Sequence, residues 1–340
     1  MKSAKDQKNT WRRLLPGLLI SAICLIVVLF LAKPRQLLLA LQLADYRLVL
    51  GGMFISLTWL AIRAVVWRTL LKEKPTFSQS FFTLAEGYLI SNLLPFRLGE
   101  LARTFLMSEK ASLPFFEVFS TIVIERLLDL AMATSMVIIS LLFVVGADWA
   151  LEAALALGGV VIIGMIALYL MALNRDKFSK WFTRLTSRWP TFQRILGIQM
   201  QAFFNGLGVI TQPALFFKVV VWMTFNWLVG IFQYWVMMRA FYPEASFLMA
   251  AFTLGVTALG IAAPSSPGAI GVMELAVIGA LSVFSVNPST GLAFALTLHI
   301  SGFLINGFLG VLGLARDGET FSGLYHRLRS LRQNLYPAEP

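Results

Sequence analysis

Cysteine, histidine and charge are all scarce in this chain, and each scarcity removes a class of function. The single cysteine, Cys24, lies inside an apolar run, so neither a disulfide framework nor a cysteine-based zinc site is available. Only two histidines occur, no glycine-rich loop leads into Lys-Ser or Lys-Thr, and no Gly-x-Ser-x-Gly elbow is present. ATP hydrolysis therefore has no carrier, and neither a cofactor nor an enzymatic activity is expected. Asp129 is the one aspartate deep in an apolar segment, which argues against the multi-aspartate magnesium site of prenyl-lipid transferases. Charged residues make up 13% of the chain and hydrophobic ones 58%. Soluble domains carry roughly 25% and roughly 45–50%.

What replaces charge is a series of apolar stretches, each of about twenty residues and each enough to cross a bilayer core. The pattern predicts an all-α polytopic integral membrane protein of about 6 to 8 transmembrane helices. The predicted spans are Leu14 to Ala32, Val49 to Leu71, Phe116 to Val145, Ala150 to Leu173, Leu215 to Met238 and Gly291 to Leu314, with broken stretches at Phe81 to Met107 and Phe247 to Phe284. The first span follows Lys2, Lys5, Lys8, Arg12 and Arg13 like a secretory signal, yet at nineteen residues it is longer than a signal core and reads as a retained helix. One membrane domain, residues 13–315, is expected between terminal tails at 1–12 and 316–340.

The net charge of +11 does not point to nucleic acid, because the cations flank apolar segments and form no separate basic domain. Arg175, Lys177, Lys180, Arg184, Arg188 and Arg194 lie between two spans, and Arg316, Arg327, Arg329 and Arg332 follow the last. The positive-inside rule places both regions and the N-terminus in the cytoplasm, and anionic headgroups account for the basicity. Residues 174–212 interleave cations with Trp181, Phe182, Leu185 and Trp189, the composition of a segment lying in the interface plane.

Two stretches break the apolar pattern. Asn92 to Arg103 contains Pro95 and Gly99 together with Arg97, Glu100 and Arg103, while Pro264 to Glu274 repeats the Pro-x-x-x-Gly core as Pro267 and Gly271. The arms of the first are each shorter than the roughly 20 residues of a crossing, which predicts a hairpin that enters and returns on one side. For the second, parity accepts either two short crossings or a hairpin; in the hairpin version topology gives helix, hairpin, helix in one half and the same order in the opposite sense in the other. This is an inverted repeat, the arrangement of alternating-access carriers.

Ionisable residues inside the apolar spans cost at least about 2.5 to 3.5 kcal/mol each and need a common reason. Glu125 and Asp129 share a helix face, and Arg126 reaches Asp129 three residues on, a spacing that also suits a purely structural pair. Spacings of three place Glu100 between Arg97 and Arg103, with net positive charge at the start of a helix arm whose free N–H groups favour an anion. Arginine's planar fork matches phosphate oxygens, so a phosphate-bearing headgroup fits. Glu274 is open to two readings: partner of Arg97 or Arg103 across the repeat, or a protonatable coupling group. Glu86 and Arg63 are expected to pair, and His299 to bond between helices. Pro264, Pro267, Gly268 and Gly271 form irregular backbone that must line protein or a wet cavity, and Gly302, Gly307, Gly310 and Gly313 offer close helix packing.

Three motifs, Asn92-x-x-Pro95-x-Arg97-x-Gly99-Glu100-x-x-Arg103, Glu125-Arg126-x-x-Asp129 and Pro264-x-x-Pro267-Gly268-x-x-Gly271-x-x-Glu274, resemble the transmembrane flippase region of lysylphosphatidylglycerol synthases. That family is shared with stand-alone bacterial inner-membrane proteins. Ala269 departs from a glycine that many relatives carry, and no aminoacyltransferase domain follows Arg316. The resemblance implies a bacterial inner-membrane lipid translocase. Its partners would be an anionic phospholipid or a prenyl-phosphate lipid, bound by Asn92, Arg97, Glu100, Arg103, Glu125, Arg126, Asp129, Pro267, Gly268 and Glu274. A homo-oligomer and lipid-synthesis enzymes stay open as further partners. A small-solute permease, a membrane scaffold and a lipid-modifying enzyme are the alternatives.

Overall fold

A computed structural model describes residues 19–94 except 20 and 29, and 98–143, 148–185, 190–262 and 266–318. All regular structure among them is helical. After α1 (residues 21–28) come α2 (Pro34–Leu43), α3 (Tyr46–Leu70), α4 (Phe77–Leu93), α5 (Leu98–Lys110), α6 (Phe115–Leu141) and α7 (Asp148–Leu173). The chain continues through α8 (Arg175–Leu185), α9 (Pro190–Leu207), α10 (Pro213–Arg239) and α11 (Phe247–Ala262). A single 3-10 turn (Pro267–Ala269) then leads into α12 (Val272–Ser282) and α13 (Pro288–Arg316).

Local chemistry sets the ends. Thr76 and Gln79 close a reciprocal capping box on α4 (Gln79 N to Thr76 Oγ1 3.2 Å, Thr76 N to Gln79 Oε1 2.8 Å). Asp45 caps α3, Asn287 caps α13, and Pro34, Pro213 and Pro288 occupy first turns, where a missing N–H costs nothing. α3, α7, α10 and α13 are long and apolar enough to cross a membrane. α6, at 27 residues, is as long but carries Glu117, Glu125, Arg126 and Asp129. α4, α5, α11 and α12 have 17, 13, 16 and 11 residues. Each is shorter than the roughly 20 residues of a crossing.

The packing repeats itself across two halves, α3–α6 and α10–α13. α3 lies on α10; α4 packs on α13 as α11 packs on α6; the hairpins α4/α5 and α11/α12 pair internally, and each flanking contact has its counterpart. α3 and α10 run antiparallel, since Asp45 N bonds Ala240 O at one end and Lys218 pairs with Glu73 at the other. The halves are therefore inverted, and the hairpins enter from opposite ends of the bundle. The 3-10 turn of the second touches α4 of the first.

Three details depart from the sequence expectation. α2 is a helix that hydropathy did not single out, tied to α13 by Lys33 N to Ser289 Oγ at 3.0 Å. Gly310 and Gly313 do meet α4, whereas among the described residues nothing lies within 4 Å of a Cβ at Gly302 or Gly307. Within 174–212, α8 has the charge-rich character of an interfacial helix, but Ala202, Phe204 and Leu207 at the far end of α9 are buried.

Candidate functional site

Both breaks come together at one cavity of ≈ 200 Å³, between α4, α5, α6, the end of α11 and the 3-10 turn. Its polar lining includes Ser91 and Asn92 of α4, Glu100 and Arg103 of α5, Arg126 of α6 and Ser266 before the turn. The close crossing of α4 and α5 makes room for these groups. A Cβ on Gly99 would lie 2.0 Å from Gly87 O and 2.2 Å from Ser91 Oγ, so only glycine lets the arms meet here.

Behind the cavity stands an ionic network centred on Glu125, which is fully buried. Its Oε1 accepts from Arg63 Nη2 at 2.7 Å, Arg126 Nη2 at 2.7 Å and Arg103 Nη2 at 3.0 Å. Arg63 Nη1 also donates to Asp129 Oδ1 at 2.7 Å, and Nη2 bonds Asp129 Oδ2. Trp227 Nε1 donates to Asp129 Oδ1 at 3.3 Å, and Arg126 lies 3.2 Å from Asp129 Oδ2 and 3.5 Å from Glu100 Oε1. Three guanidiniums thus face three carboxylates, which is the condition for holding charge in a low-dielectric interior.

Arg63 and Arg126 each leave only Nε buried without a hydrogen bond, and within this balanced set Arg103 is the least satisfied. Its side chain is 2% exposed and stacks over Trp67 at 4.9 Å, yet only Nη2 has a bond; Nε and Nη1 are buried without partners. A guanidinium presents five donors, and leaving buried ones unsatisfied is costly unless a ligand supplies the acceptor. Arg103 lines the cavity, so the free donors and the space coincide.

The sequence-derived set divides accordingly. Asn92, Glu100, Arg103, Arg126 and Gly268 line the cavity; Glu125 and Asp129 support it from behind; Arg97 lies outside the described residues. Pro267 opens the 3-10 turn, where Gly268 at φ +63° and Ala269 at φ +58° both adopt the left-handed conformation. Glycine takes that conformation without cost, and alanine does so at about 1 kcal/mol.

Several expected pairings change. Glu100 faces Arg126 of the next helix, and Arg103 faces Glu125; the expected Glu100 to Arg97 contact lies outside the described residues. Glu86 pairs with Lys110 (2.7 Å), not with Arg63, because α4 and α5 run side by side and bring Lys110 over it; Asp317 joins from α13. Glu274 meets neither Arg103 nor any other arginine among the described residues, which do not include Arg97. It caps α12 through Gly271 N (2.7 Å) and bonds His299 Nδ1 (2.5 Å), confirming His299 as an interhelical group. Arg63, which joins Glu125 to Asp129, was missed as a site residue. Its only signal was being an arginine inside an apolar span. Among the described residues no cluster of His, Cys, Asp or Glu is placed to hold a metal ion.

Residues 14–310 match the family model described as the lysylphosphatidylglycerol synthase TM region. A UPF0104 membrane protein of Methanothermobacter thermautotrophicus is 21% identical over 327 residues, covering 92% of this chain and 96% of that protein. Another, from Methanocaldococcus jannaschii, is 22% identical over 342 residues with the same coverage of each. No solved structure gives a significant match.

Proposed function

Because this multi-pass membrane protein belongs to the family of lysylphosphatidylglycerol synthase transmembrane regions, we propose that it is a lipid translocase moving a phosphate-bearing headgroup between leaflets. The observation that carries the proposal is Arg103, a buried guanidinium with two unpartnered nitrogens at a cavity where two oppositely inserted hairpins meet. Its free donors suit phosphate oxygens, with Asn92, Ser91 and Arg126 within the same lining. Inverted repeats whose two hairpins meet at one cavity support alternating access.

The bundle end that carries Lys72, Lys74, Lys110, Arg175 and Arg316 is assigned to the cytoplasm by the positive-inside rule, in a bacterial inner membrane. Arg63, Glu125 and Asp129 hold the site's shape, and Arg103 with Arg126 meets the headgroup. The hydrocarbon tail stays in lipid while the headgroup passes.

The test is reconstitution into phosphatidylethanolamine and phosphatidylglycerol vesicles carrying fluorescent phosphatidylglycerol or a fluorescent polyprenyl phosphate, with leaflet exposure read by dithionite quenching. Wild type equilibrates at least one of the two lipids. Arg103→Met slows it about 10- to 100-fold, the equivalent of one charge-assisted hydrogen bond. Unchanged movement in that variant would favour a scaffold, and chemical conversion of the lipid an enzyme; either result refutes the proposal.

A further inference from the structure

The second hairpin holds a proton that the anion site does not use. His299 places Nε2 2.8 Å from the Gly268 carbonyl and Nδ1 2.5 Å from Glu274 Oε1. A carbonyl oxygen only accepts, so Nε2 carries a hydrogen. One more proton must then lie between Nδ1 and Oε1, whichever atom holds it, because otherwise a nitrogen lone pair would face a carboxylate oxygen. The pair in this geometry is neutral overall.

That shared proton holds the second break together. Glu274 Oε2 grips Gly271 N at the start of α12, and His299 grips Gly268 O, so the pair ties both left-handed glycines to α13. Phe303 stacks on the imidazole at 4.7 Å, and both side chains are largely buried. Losing the proton removes the Nδ1 to Oε1 bond and frees the ring from the carboxylate. The Gly268 carbonyl, at a residue lining the cavity, goes with it.

Few other charges compete for this proton. α11 has no titratable residue, α12 contributes only Glu274, and α13 only His299 apart from Arg316 at its far end. From α1, Cys24 lies beside Gly271; Lys33 and Arg35 sit at the α2 end of α13; from α4, which touches the 3-10 turn, Tyr88 lines the cavity and Glu86 pairs with Lys110. Across the cavity stand Glu100, Arg103 and Arg126. The described ion cluster is balanced, Arg63, Arg103 and Arg126 against Glu100, Glu125 and Asp129. An entering anion therefore meets a neutral proton-loaded pair or a negative unloaded one, and it favours the first. By linkage, the anion and the proton draw each other in by the same factor.

We propose that Glu274 and His299 carry one exchangeable proton, and that an anionic headgroup crosses the membrane together with it. This rests on the translocase reading above. The proton binds between Nδ1 and Oε1 from the medium on one side and is released from the same atoms to the medium on the other. One negative and one positive charge cross together, and neither is consumed.

The experiment uses the same vesicles with the membrane potential clamped by potassium and valinomycin, an imposed pH difference, and an entrapped pH dye. With about one pH unit across the membrane, one proton per headgroup gives about a tenfold steady-state lipid asymmetry. Lipid movement should also shift the dye signal in step. Glu274→Gln and His299→Gln should abolish both the asymmetry and the dye signal. Lipid movement by wild type that ends in equal leaflets, with no dye response, overturns the coupling and leaves the translocase intact. Folded wild type that moves neither lipid overturns both. Because wild type alone decides, a variant that fails to fold does not blunt the test.

Discussion

Arg63 and Arg103 both bond Glu125, yet their replacement by methionine should affect stability to very different degrees. Arg63 is 2% exposed and pairs with Glu125 and Asp129 at once. Removing it leaves two carboxylates short of a buried partner, and breaking such a pair costs about 3 to 5 kcal/mol. Arg103→Met removes one charged hydrogen bond at 3.0 Å, about 1.5 to 3 kcal/mol, and a cation-π contact at 4.9 Å, about 1 to 2 kcal/mol. It also removes two buried nitrogens without partners, each costing about 1 to 3 kcal/mol. Glu125 keeps Arg63 and Arg126. The terms for Arg103 nearly cancel, so its loss should change stability by no more than about 1 to 2 kcal/mol. Equilibrium unfolding in mixed detergent micelles, titrated with SDS, measures both variants. Equal destabilisation of the two would refute the reasoning, since Arg103 would then be a structural ion with no donors held for a ligand.

Gly99→Ala should prevent the tight α4/α5 crossing, because its Cβ would fall 2.0 Å from the Gly87 carbonyl; a lower melting temperature in detergent together with lost lipid movement checks it. At the bundle end, Lys218 holds the Glu73 carboxyl below its ordinary range. A depressed carboxylate contributes stability above its unfolded pKa and loses it as pH falls through the folded value. In Lys218→Met, carbon NMR of labelled Glu73 should show titration moved back up toward the ordinary range.

The legible part of the site was the part written in one helix. Arg126 and Asp129 stand three apart, and they pair as that spacing requires. Gly268 and Gly271 announced irregular backbone, and both take positive φ. Partners supplied by another helix were read wrongly or not at all. Glu86 takes Lys110 in place of Arg63, and Glu274 takes His299, a residue whose sequence neighbours are all uncharged. Helical spacing ranks neighbours within one element only, whereas an ion buried in a membrane bundle takes whichever opposite charge packing brings near.

Sequence alone determined that the chain is helical and crosses a membrane several times, because apolar stretches of this length admit no other way to satisfy their backbone in lipid. It also located both breaks, since proline, glycine and charge cannot continue a lipid-facing helix. Only the tertiary structure decided that the breaks share one cavity and that Arg63 joins Glu125 and Asp129 behind it. It alone showed that Arg103 keeps two donors free and that Glu274 pairs with His299. Those facts depend on α3, α5, α6 and α13 lying side by side, and that adjacency comes from helix packing between residues as far apart as 63 and 129.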